Sequence, residues 1–326
     1  MSKNILVTGG AGYVGAELVP KLLNEGHKVT VLDTFWYSDE SLFKSSENLK
    51  LIKGDIRDKE IITSSLVDIT DVFHLACISN DPSFDLDPEL GKSINYDCFE
   101  YIVSEAKRMG VSRFIYASSS SVYGVKETPN VTEDLSLEPL TDYSKYKALC
   151  ETILNKYKSD NFTVVSVRPA TVCGPSRRQR LDVVVNILTN HAINNGKIKI
   201  FGGEQKRPNI HIEDMCQAYI QLLNAEASII NGEIFNAGGE NLPVMKIAQL
   251  VSEVTGVKTL DILPTDDIRS YHISSEKIFN AIGFKAQKSV KDAIVDLKSS
   301  FDNNLLKDSL SDPKYFNVKF VKDSLL

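Results

Sequence analysis

The fold is decided by the stretch Thr8-Gly9-Gly10-Ala11-Gly12-Tyr13-Val14-Gly15, close to the amino terminus. The apolar segment 5–7 before it predicts a buried strand, and the helical spacing of apolar residues after it predicts a helix over 12–24. Glycines at every third position permit a tight turn, close approach of the backbone to a pyrophosphate, and close packing of the helix on the sheet. The helix start offers N–H groups and the positive end of its dipole to phosphates. We therefore predict that a dinucleotide cofactor lies on Gly9, Gly12, Tyr13, Val14 and Gly15.

Outward from this stretch, short apolar segments alternate with segments of helical spacing. The predicted strands are 28–33, 49–56, 72–76, 114–117 and 163–167, and the predicted helices are 59–66, 89–109 and 142–158. Such alternation, with strands this apolar, indicates a parallel sheet covered by helices on both faces. We predict an α/β fold: a Rossmann-type doubly wound parallel sheet formed by 1–168 plus 209–240, with a smaller discontinuous α/β substrate domain formed by 169–208 plus 241–326.

Composition excludes several classes of protein. The chain has 326 residues, with 37 Lys and Arg against 43 Asp and Glu, and this acidic balance argues against a nucleic-acid-binding or membrane-binding surface. Its five cysteines are scattered and contain no CxxC pair, so neither a disulfide framework nor a metal site is expected. No segment approaches the roughly 20 apolar residues that span a bilayer, and no signal peptide is evident. We expect a soluble, cytoplasmic protein.

Carboxylates follow the second and third predicted strands. Asp33 ends the second strand, 18 residues after Gly15, where a carboxylate can accept hydrogen bonds from both ribose hydroxyls and repel a 2′-phosphate. The cofactor predicted from this position is NAD, although a capping or turn aspartate is the alternative interpretation. Asp55 and Ile56 close the third predicted strand and are placed to meet the adenine edge. Taken alone, Asp55 is typical of a turn.

A tyrosine and a lysine stand four residues apart on the predicted helix 142–158. This spacing puts Tyr143 and Lys147 on one helix face, where an ammonium lowers the pKa of a phenol and favours a phenolate base. The same spacing arises by chance on many helices, and Tyr146 would serve if the register differed. The serine run 118–121 follows the fifth predicted strand at its carboxyl end, where ligands of open α/β sheets bind.

Together, these motifs resemble the extended short-chain dehydrogenase/reductase superfamily and, more narrowly, the NAD-dependent sugar-nucleotide epimerase/dehydratase family. Further matches, in the family's order, occur at 74–76, Asn95, 168–169, 174–175, 207–214 and 269–271, up to about residue 298. The resemblance implies that Tyr143 is the general base, that Lys147 lowers its pKa and binds the nicotinamide ribose, and that Ser119 polarises the sugar hydroxyl. It also implies a homodimer built from the helices near 90–109 and 142–158.

The resemblance also supplies further contacts to ligands. Additional cofactor contacts are implied for Leu75, Ala76, Asn95, Ser118 and Arg168. Substrate contacts to a nucleotide-diphosphate sugar are implied for Ser79, Asn80, Ser119, Ser120, Arg180, Arg207 and Arg269. Arg207 and Arg269 align with arginines that hold the substrate diphosphate, and a surface salt bridge is the alternative for either one.

The residues beside Ser119 bear on which reaction follows. Family members share the oxidation of the sugar at C4 to a 4-keto sugar. The 4,6-dehydratases carry an Asp-Glu pair where this chain has Ser120 and Ser121, and the fucose-synthase type uses a Cys and a His, with no such Cys beside this serine run. Dehydration and double epimerisation are therefore disfavoured. A C4 epimerase or a C4 dehydrogenase or reductase remains.

Other segments leave the substrate open. Segments 79–82 and 177–182 are expected to shape the space for the sugar, and both depart from the common 4-epimerase pattern. The polar tail beyond Ser300, with an apolar patch at 315–318, is interpreted as a surface flap or an oligomer contact. A non-catalytic NAD(P)-binding regulator of the same fold is the second hypothesis, and the complete set of Tyr143, Lys147 and Ser119 favours an enzyme over it.

Overall fold

The computed structural model describes residues 2–128, 130–265 and 272–324. The strands of these residues are β1 (Asn4–Thr8), β2 (Lys28–Asp33), β3 (Leu49–Lys53), β4 (Asp71–His74), β5 (Arg113–Ala117), β6 (Thr163–Pro169), β7 (Thr171–Cys173), β8 (Ile198–Phe201), β9 (Lys206–His211), β10 (Glu233–Ala237), β11 (Glu240–Pro243) and β12 (Leu260–Leu263). Seven of them form one sheet in the order β10-β6-β5-β4-β1-β2-β3. Every neighbouring pair in this sheet is parallel, which confirms the predicted doubly wound sheet.

The helices of the described residues are α1 (Gly15–Asn24), α2 (Lys59–Ser65), α3 (Asp81–Phe84), α4 (Pro88–Lys92), α5 (Phe99–Arg108), α6 (Asp142–Lys156), α7 (Val184–Asn195), α8 (Ile212–Asn224), α9 (Ala227–Ile230), α10 (Val244–Thr255), α11 (Glu276–Ile282), α12 (Val290–Asp302) and α13 (Asn317–Ser324). None of them combines the length and the apolar character that crossing a bilayer requires.

The central sheet is buried on both faces because its strands are apolar at consecutive positions. In β1, Ile5 and Val7 pack into one core cluster with α1 and α8, and Leu6 between them packs into a second cluster with α5 and α6. Successive side chains of a strand point to opposite faces, so a continuous apolar run requires helices on both sides. This explains why the alternation of strands and helices was readable from the sequence.

Several predicted elements differ from the structure: the helix predicted over 12–24 begins at Gly15, and the strand predicted over 72–76 is Asp71–His74. The third strand, predicted over 49–56, ends at Lys53, and 54–56 form a turn that faces a cavity. The helix predicted over 89–109 is divided into α4, a π-helical turn at Ser93–Asp97, and α5. A π-helical turn inserts an extra residue into the helix, and such turns are frequent beside functional sites.

Smaller elements lie beyond the central sheet. Strands β11, β9 and β7 form a three-stranded sheet, and β12 pairs with β8. Helices α7, α10 and α12 pack on them around a third apolar cluster that includes Val185, Ile247 and Ile294. Because β9 begins at Lys206, one element spans the predicted boundary between 208 and 209. The division into two domains stays a prediction.

Candidate active site

A cavity lies over the carboxyl ends of the central strands, where ligands of open α/β sheets bind. Its lining includes the glycine turn, the ends of β2, β4 and β5, and the first turns of α6. The predicted cofactor and substrate residues that the structure describes all line it, except Asn95, Arg168 and Arg207. The structure thus brings together side chains that are separated by more than a hundred positions in the sequence. Their roles remain predictions.

The glycine turn has the shape that a dinucleotide diphosphate requires. Gly9 has a φ of +70°, and a Cβ atom built there would lie 2.6 Å from the backbone of Ala76. A Cβ at Gly15 would lie 2.5 Å from the carbonyl oxygen of Gly10. No side chain caps the start of α1, and the N–H groups of Ala16 and Glu17 donate to the carbonyls of Gly12 and Val14, so the glycine turn before them is the part that faces a phosphate. The residues present therefore fit NAD.

Two carboxylates line the part of the cavity that follows β2 and β3. Asp33 accepts hydrogen bonds from the backbone N–H groups of Ala11 at 2.9 Å and Phe35 at 2.8 Å, which fixes its carboxylate beside the glycine turn. Burial raises the pKa of Asp33, and these bonds offset part of the shift. Burial also raises the pKa of Asp55, but hydrogen bonds from Arg57, with an oxygen–nitrogen distance of 2.6 Å, lower it overall. Both positions suit hydrogen bonding to a cofactor.

The predicted catalytic side chains lie together at the end of β5. Tyr143 is 8% exposed and Lys147 is 3% exposed, and both face the cavity from the first turns of α6. The Lys147 ammonium lies 5.8 Å from the ring centre of Tyr143 and donates a 2.6 Å hydrogen bond to the carbonyl of Ala117. The hydroxyl of Ser119 contacts that of Ser121 at 2.8 Å. The serine run and the tyrosine thus line the same cavity.

The sequence predicts that Lys147 lowers the pKa of Tyr143, and other neighbours also act on this pKa in the structure. Burial raises the pKa of Tyr143 well above its ordinary value, and the nearby Cys77 and Asp81 raise it further. The guanidinium of Arg180 and a hydrogen bond from Ser119 lower it. Arg180 is therefore the cation that acts most strongly on this phenol in the structure. The lowering of this pKa by Lys147 stays a prediction.

Asn95 and Arg168 do not belong to the residues that line the cavity, and their contacts with the cofactor stay predictions. The Asn95 amide accepts from the N–H of Ile78 at 2.8 Å and donates to its carbonyl at 2.9 Å, which braces the loop after β4. Arg168 is 2% exposed and forms two hydrogen bonds to Glu151, of 2.9 and 2.6 Å. Glu151 also accepts a hydrogen bond from Ser118. Both residues therefore hold cavity-forming segments in place.

Of the two arginines expected to hold the substrate diphosphate, the structure describes only Arg207, which does not line the cavity. Arg207 lies in β9, where its guanidinium donates to the carbonyl of Lys206 at 3.0 Å. Arg269, with the neighbouring Tyr271 of the sequence match, lies outside the described residues. Their contact with a substrate stays a prediction.

Segment 79–82 contributes a strained residue to the cavity. Asn80 has a φ of +91°, which is rare for a residue with a side chain, and its side chain caps the N–H of Ser83 at 2.9 Å. Ser79 accepts a 3.2 Å hydrogen bond from Arg180, whose main partner is Asp182 at 2.6 Å. Strained backbone of this kind concentrates at ligand sites.

The tail, interpreted from the sequence as a surface flap or oligomer contact, closes one end of the cavity. Asn317, at the start of α13, is 3% exposed and lines the cavity. Its N–H donates to Asp182 at 2.8 Å, and its side-chain amide donates to Ser79 at 3.0 Å. The tail ring of Phe320 packs on Tyr37, with ring centres 4.5 Å apart. The apolar patch at 315–318 indicated that the tail packs on another surface, but the sequence did not indicate which surface.

The cavity also contains residues that no pattern in the sequence indicated. Cys77, one of the five scattered cysteines, lies in the same cavity as Tyr143. Arg178, from segment 177–182, and Tyr37, from no predicted motif, also line it. Within the described ranges, no cluster of His, Cys, Asp or Glu is arranged to hold a metal ion.

Comparison with known proteins gives one family. Residues 5–238 match the NAD dependent epimerase/dehydratase family. The chain is 31% identical over 267 residues to an uncharacterized UDP-glucose epimerase, YtcB, of Bacillus subtilis, covering 78% of this chain and 83% of that one. It is 26% identical over 313 residues to a UDP-glucose 4-epimerase of Lactobacillus helveticus, covering 89% and 94%. Among solved structures, MoeE5 in complex with UDP-glucuronic acid and NAD superposes with a TM-score of 0.81, at 25% identity, over 92% of this chain and 99% of that chain.

Proposed function

The chain belongs to the NAD-dependent epimerase/dehydratase family, and from this premise we propose that it catalyses NAD-dependent oxidoreduction at C4 of a nucleotide-activated sugar. The reaction is that of a 4-epimerase or of a C4 dehydrogenase or reductase. The observation that carries the proposal is the position of Tyr143, which faces the cavity together with Ser119, Lys147 and the glycine turn. Relatives in this family include epimerases, decarboxylases and 4,6-dehydratases, so the chemistry must be argued from the site.

Different residues of this chain bind different parts of the cofactor. The backbone of the glycine turn, at the positive end of the α1 dipole, binds the diphosphate, and the Asp33 carboxylate accepts hydrogen bonds from ribose hydroxyls. Lys147 holds the second ribose and places a positive charge beside the phenol of Tyr143. When NAD is bound, it supplies the hydride acceptor of the reaction and a positive charge at the nicotinamide.

Proton transfer falls to Tyr143 as general base. Its oxygen takes the proton of the sugar C4 hydroxyl, which Ser119 orients by a hydrogen bond. The guanidinium of Arg180 favours the phenolate, as the direction of its effect on the pKa shows. In an epimerase the sugar turns before the hydride returns to the opposite face, whereas a dehydrogenase releases the keto sugar.

The described residues do not favour dehydration. The positions after Ser119 are Ser120 and Ser121, and a serine hydroxyl is too weak an acid or base for proton transfer at C5 and C6 near neutral pH.

We also propose that residues 1–168 with 209–240 hold NAD and that 169–208 with 241–326 hold the nucleotide sugar.

Incubation with NAD and a panel of UDP-, GDP-, CDP- and dTDP-sugars tests the proposal. A C4-inverted product without net NADH identifies an epimerase, and stoichiometric NADH with a keto product identifies a dehydrogenase. Tight NAD binding with no binding or turnover of any nucleotide sugar would favour the non-catalytic regulator and overturn the proposal.

We further propose a homodimer built from α5 and α6. The side chain of Leu149 on α6 is 38% exposed, so this helix offers apolar surface to a partner. Sedimentation at micromolar concentration tests it, because a dimer doubles the mass. A monomer at all concentrations up to about 100 μM contradicts it, since specific dimers of this kind associate more tightly than that.

A further inference from the structure

One buried arginine of the cavity is explained by none of the roles described so far. Arg178 is 4% exposed and lines the cavity together with Ala11 and Gly12 of the glycine turn. The segment that carries it crosses the glycine turn, because the hydroxyl of Ser176 donates a 2.8 Å hydrogen bond to the carbonyl of Tyr13. The guanidinium therefore lies on the cavity side of the turn.

The positive charge of Arg178 forms no direct ion pair with any residue that the structure describes. Its guanidinium stacks on the ring of Tyr37 at 4.0 Å and donates one 2.5 Å hydrogen bond to the side-chain carbonyl of Asn317. Its Nε atom is buried and has no hydrogen-bond partner. Across the described ranges, no carboxylate lies within ion-pair distance of it. In contrast, Arg180 pairs with Asp182 at 2.6 Å.

A buried charge without an ionic partner is costly, so a protein that retains one has a use for it. Burial lowers the pKa of Arg178 to about 10 and the charge of Arg180 lowers it as well, whereas the more distant carboxylates of Asp182 and Asp33 raise it only in part. The group stays charged at neutral pH. An anion in the cavity would supply a negative partner for the guanidinium. A planar guanidinium binds phosphate oxygens in a bidentate geometry.

We propose that Arg178 is a binding residue for a diphosphate in this cavity. Either the dinucleotide cofactor or the nucleotide-sugar substrate supplies the diphosphate. The inference rests on the proposed function for the identity of these ligands, and it assigns a residue to which the family resemblance gave no role. Tyr37 and Asn317 are its positioning residues, because the ring and the amide hold the guanidinium plane in place before the ligand enters.

The test is calorimetric binding to Arg178→Met, with four ligands. NAD and UDP carry a diphosphate, whereas adenosine and uridine are the matched ligands without one. We expect an affinity loss on the order of 10- to 100-fold for NAD or for UDP, as for a lost charge-assisted hydrogen bond, and no loss for the nucleosides. Loss for NAD assigns the cofactor diphosphate, and loss for UDP assigns that of the substrate.

The matched control is Arg177→Met. Arg177 precedes Arg178, but its side chain is 48% exposed and pairs with Glu17 at 2.7 Å, so all four affinities should be unchanged. In Arg178→Lys, which keeps the charge but loses the planar fork, we expect an intermediate loss. This variant also provides the measurement if the methionine variant does not fold.

Thermal unfolding separates a ligand-binding role from a structural one. If Arg178 serves to bind an anion, Arg178→Met without ligand should unfold at or above the unfolding temperature of the unsubstituted protein. NAD or UDP should then raise the unfolding temperature of Arg178→Met by less than they raise that of the unsubstituted protein. Unchanged affinities for both diphosphates overturn the inference, as does a lower unfolding temperature without loss of affinity. Failure of the proposed function is distinguishable, because a protein that binds NAD through Arg178 but turns over no sugar fails only the activity assay.

Discussion

Replacing Tyr143 by Phe tests the proposed chemistry most directly. The change removes one hydroxyl and leaves the ring, which packs edge-on against Phe84 with ring centres 6.4 Å apart. Lys147 keeps its hydrogen bond to the carbonyl of Ala117, and the glycine turn lies outside the altered region. We therefore expect the fold and the affinity for NAD to be retained.

The expected loss is that of a general base. Proton transfer by a positioned side chain contributes about 10²- to 10⁴-fold, so turnover should fall by that factor, which corresponds to about 3 to 5 kcal/mol of activation free energy. Burial raises the pKa of Tyr143, and the base acts only when it is deprotonated. Turnover of the unsubstituted protein should thus increase with pH, and this increase should be absent from Tyr143→Phe.

The assay is chromatographic measurement of sugar products from NAD and the nucleotide sugar that the panel identifies, across a range of pH. The matched control is Tyr146→Phe, because Tyr146 lies three residues along the same helix and packs on Tyr96, with ring centres 5.0 Å apart, outside the cavity lining. Turnover of this control should be close to normal. If Tyr143→Phe retained near-normal turnover and the pH dependence, another group would be the base and the reasoning would be refuted.

Three further changes test other parts of the site. Asp33→Asn should narrow the preference for NAD over NADP, measured as a ratio of dissociation constants, and an unchanged ratio would contradict the ribose contact. Gly9→Ala should lower the free energy of unfolding in urea by about 1–3 kcal/mol more than Gly110→Ala, because both have positive φ but only the first would meet backbone atoms, at 2.6 Å. Equal losses of unfolding free energy in the two variants would show that the glycine turn can accommodate a Cβ atom at Gly9. Arg168→Met should cost about 3–5 kcal/mol of unfolding free energy, because it leaves the buried Glu151 uncompensated; weaker NAD binding with unchanged stability would instead support a cofactor contact.

Much of the fold could be predicted because its signals are local. The apolar runs of the central strands and the helical spacing between them report burial on two faces, and β2 has the predicted bounds Lys28–Asp33. Ends of elements were less accurate where tertiary contacts decide them. The π-helical turn at Ser93–Asp97, for example, accompanies the hydrogen bonds between Asn95 and the backbone of Ile78, and no local pattern announces such a contact.

The candidate site divides in the same way. Tyr143 and Lys147 share one helix face and Gly9 stands at a strand–helix turn, so these motifs taken together predicted a common ligand site. Arg168 shows the opposite case. It lies near the carboxyl end of β6, where the family resemblance implied a cofactor contact, and packing turns its guanidinium to Glu151, a contact that no local pattern indicates.

Local sequence patterns were enough to predict the parallel sheet, the glycine turn and the shared helix face of the tyrosine and lysine, because each depends on neighbours within a few residues. Which distant groups share the cavity depends on the packing of the whole fold. Asn317 reaches Arg178 across 139 positions of the chain, and Cys77 and Arg180 converge on Tyr143 from different loops. Such convergence depends on how packed elements aim their side chains, and composition and periodicity carry no record of that direction.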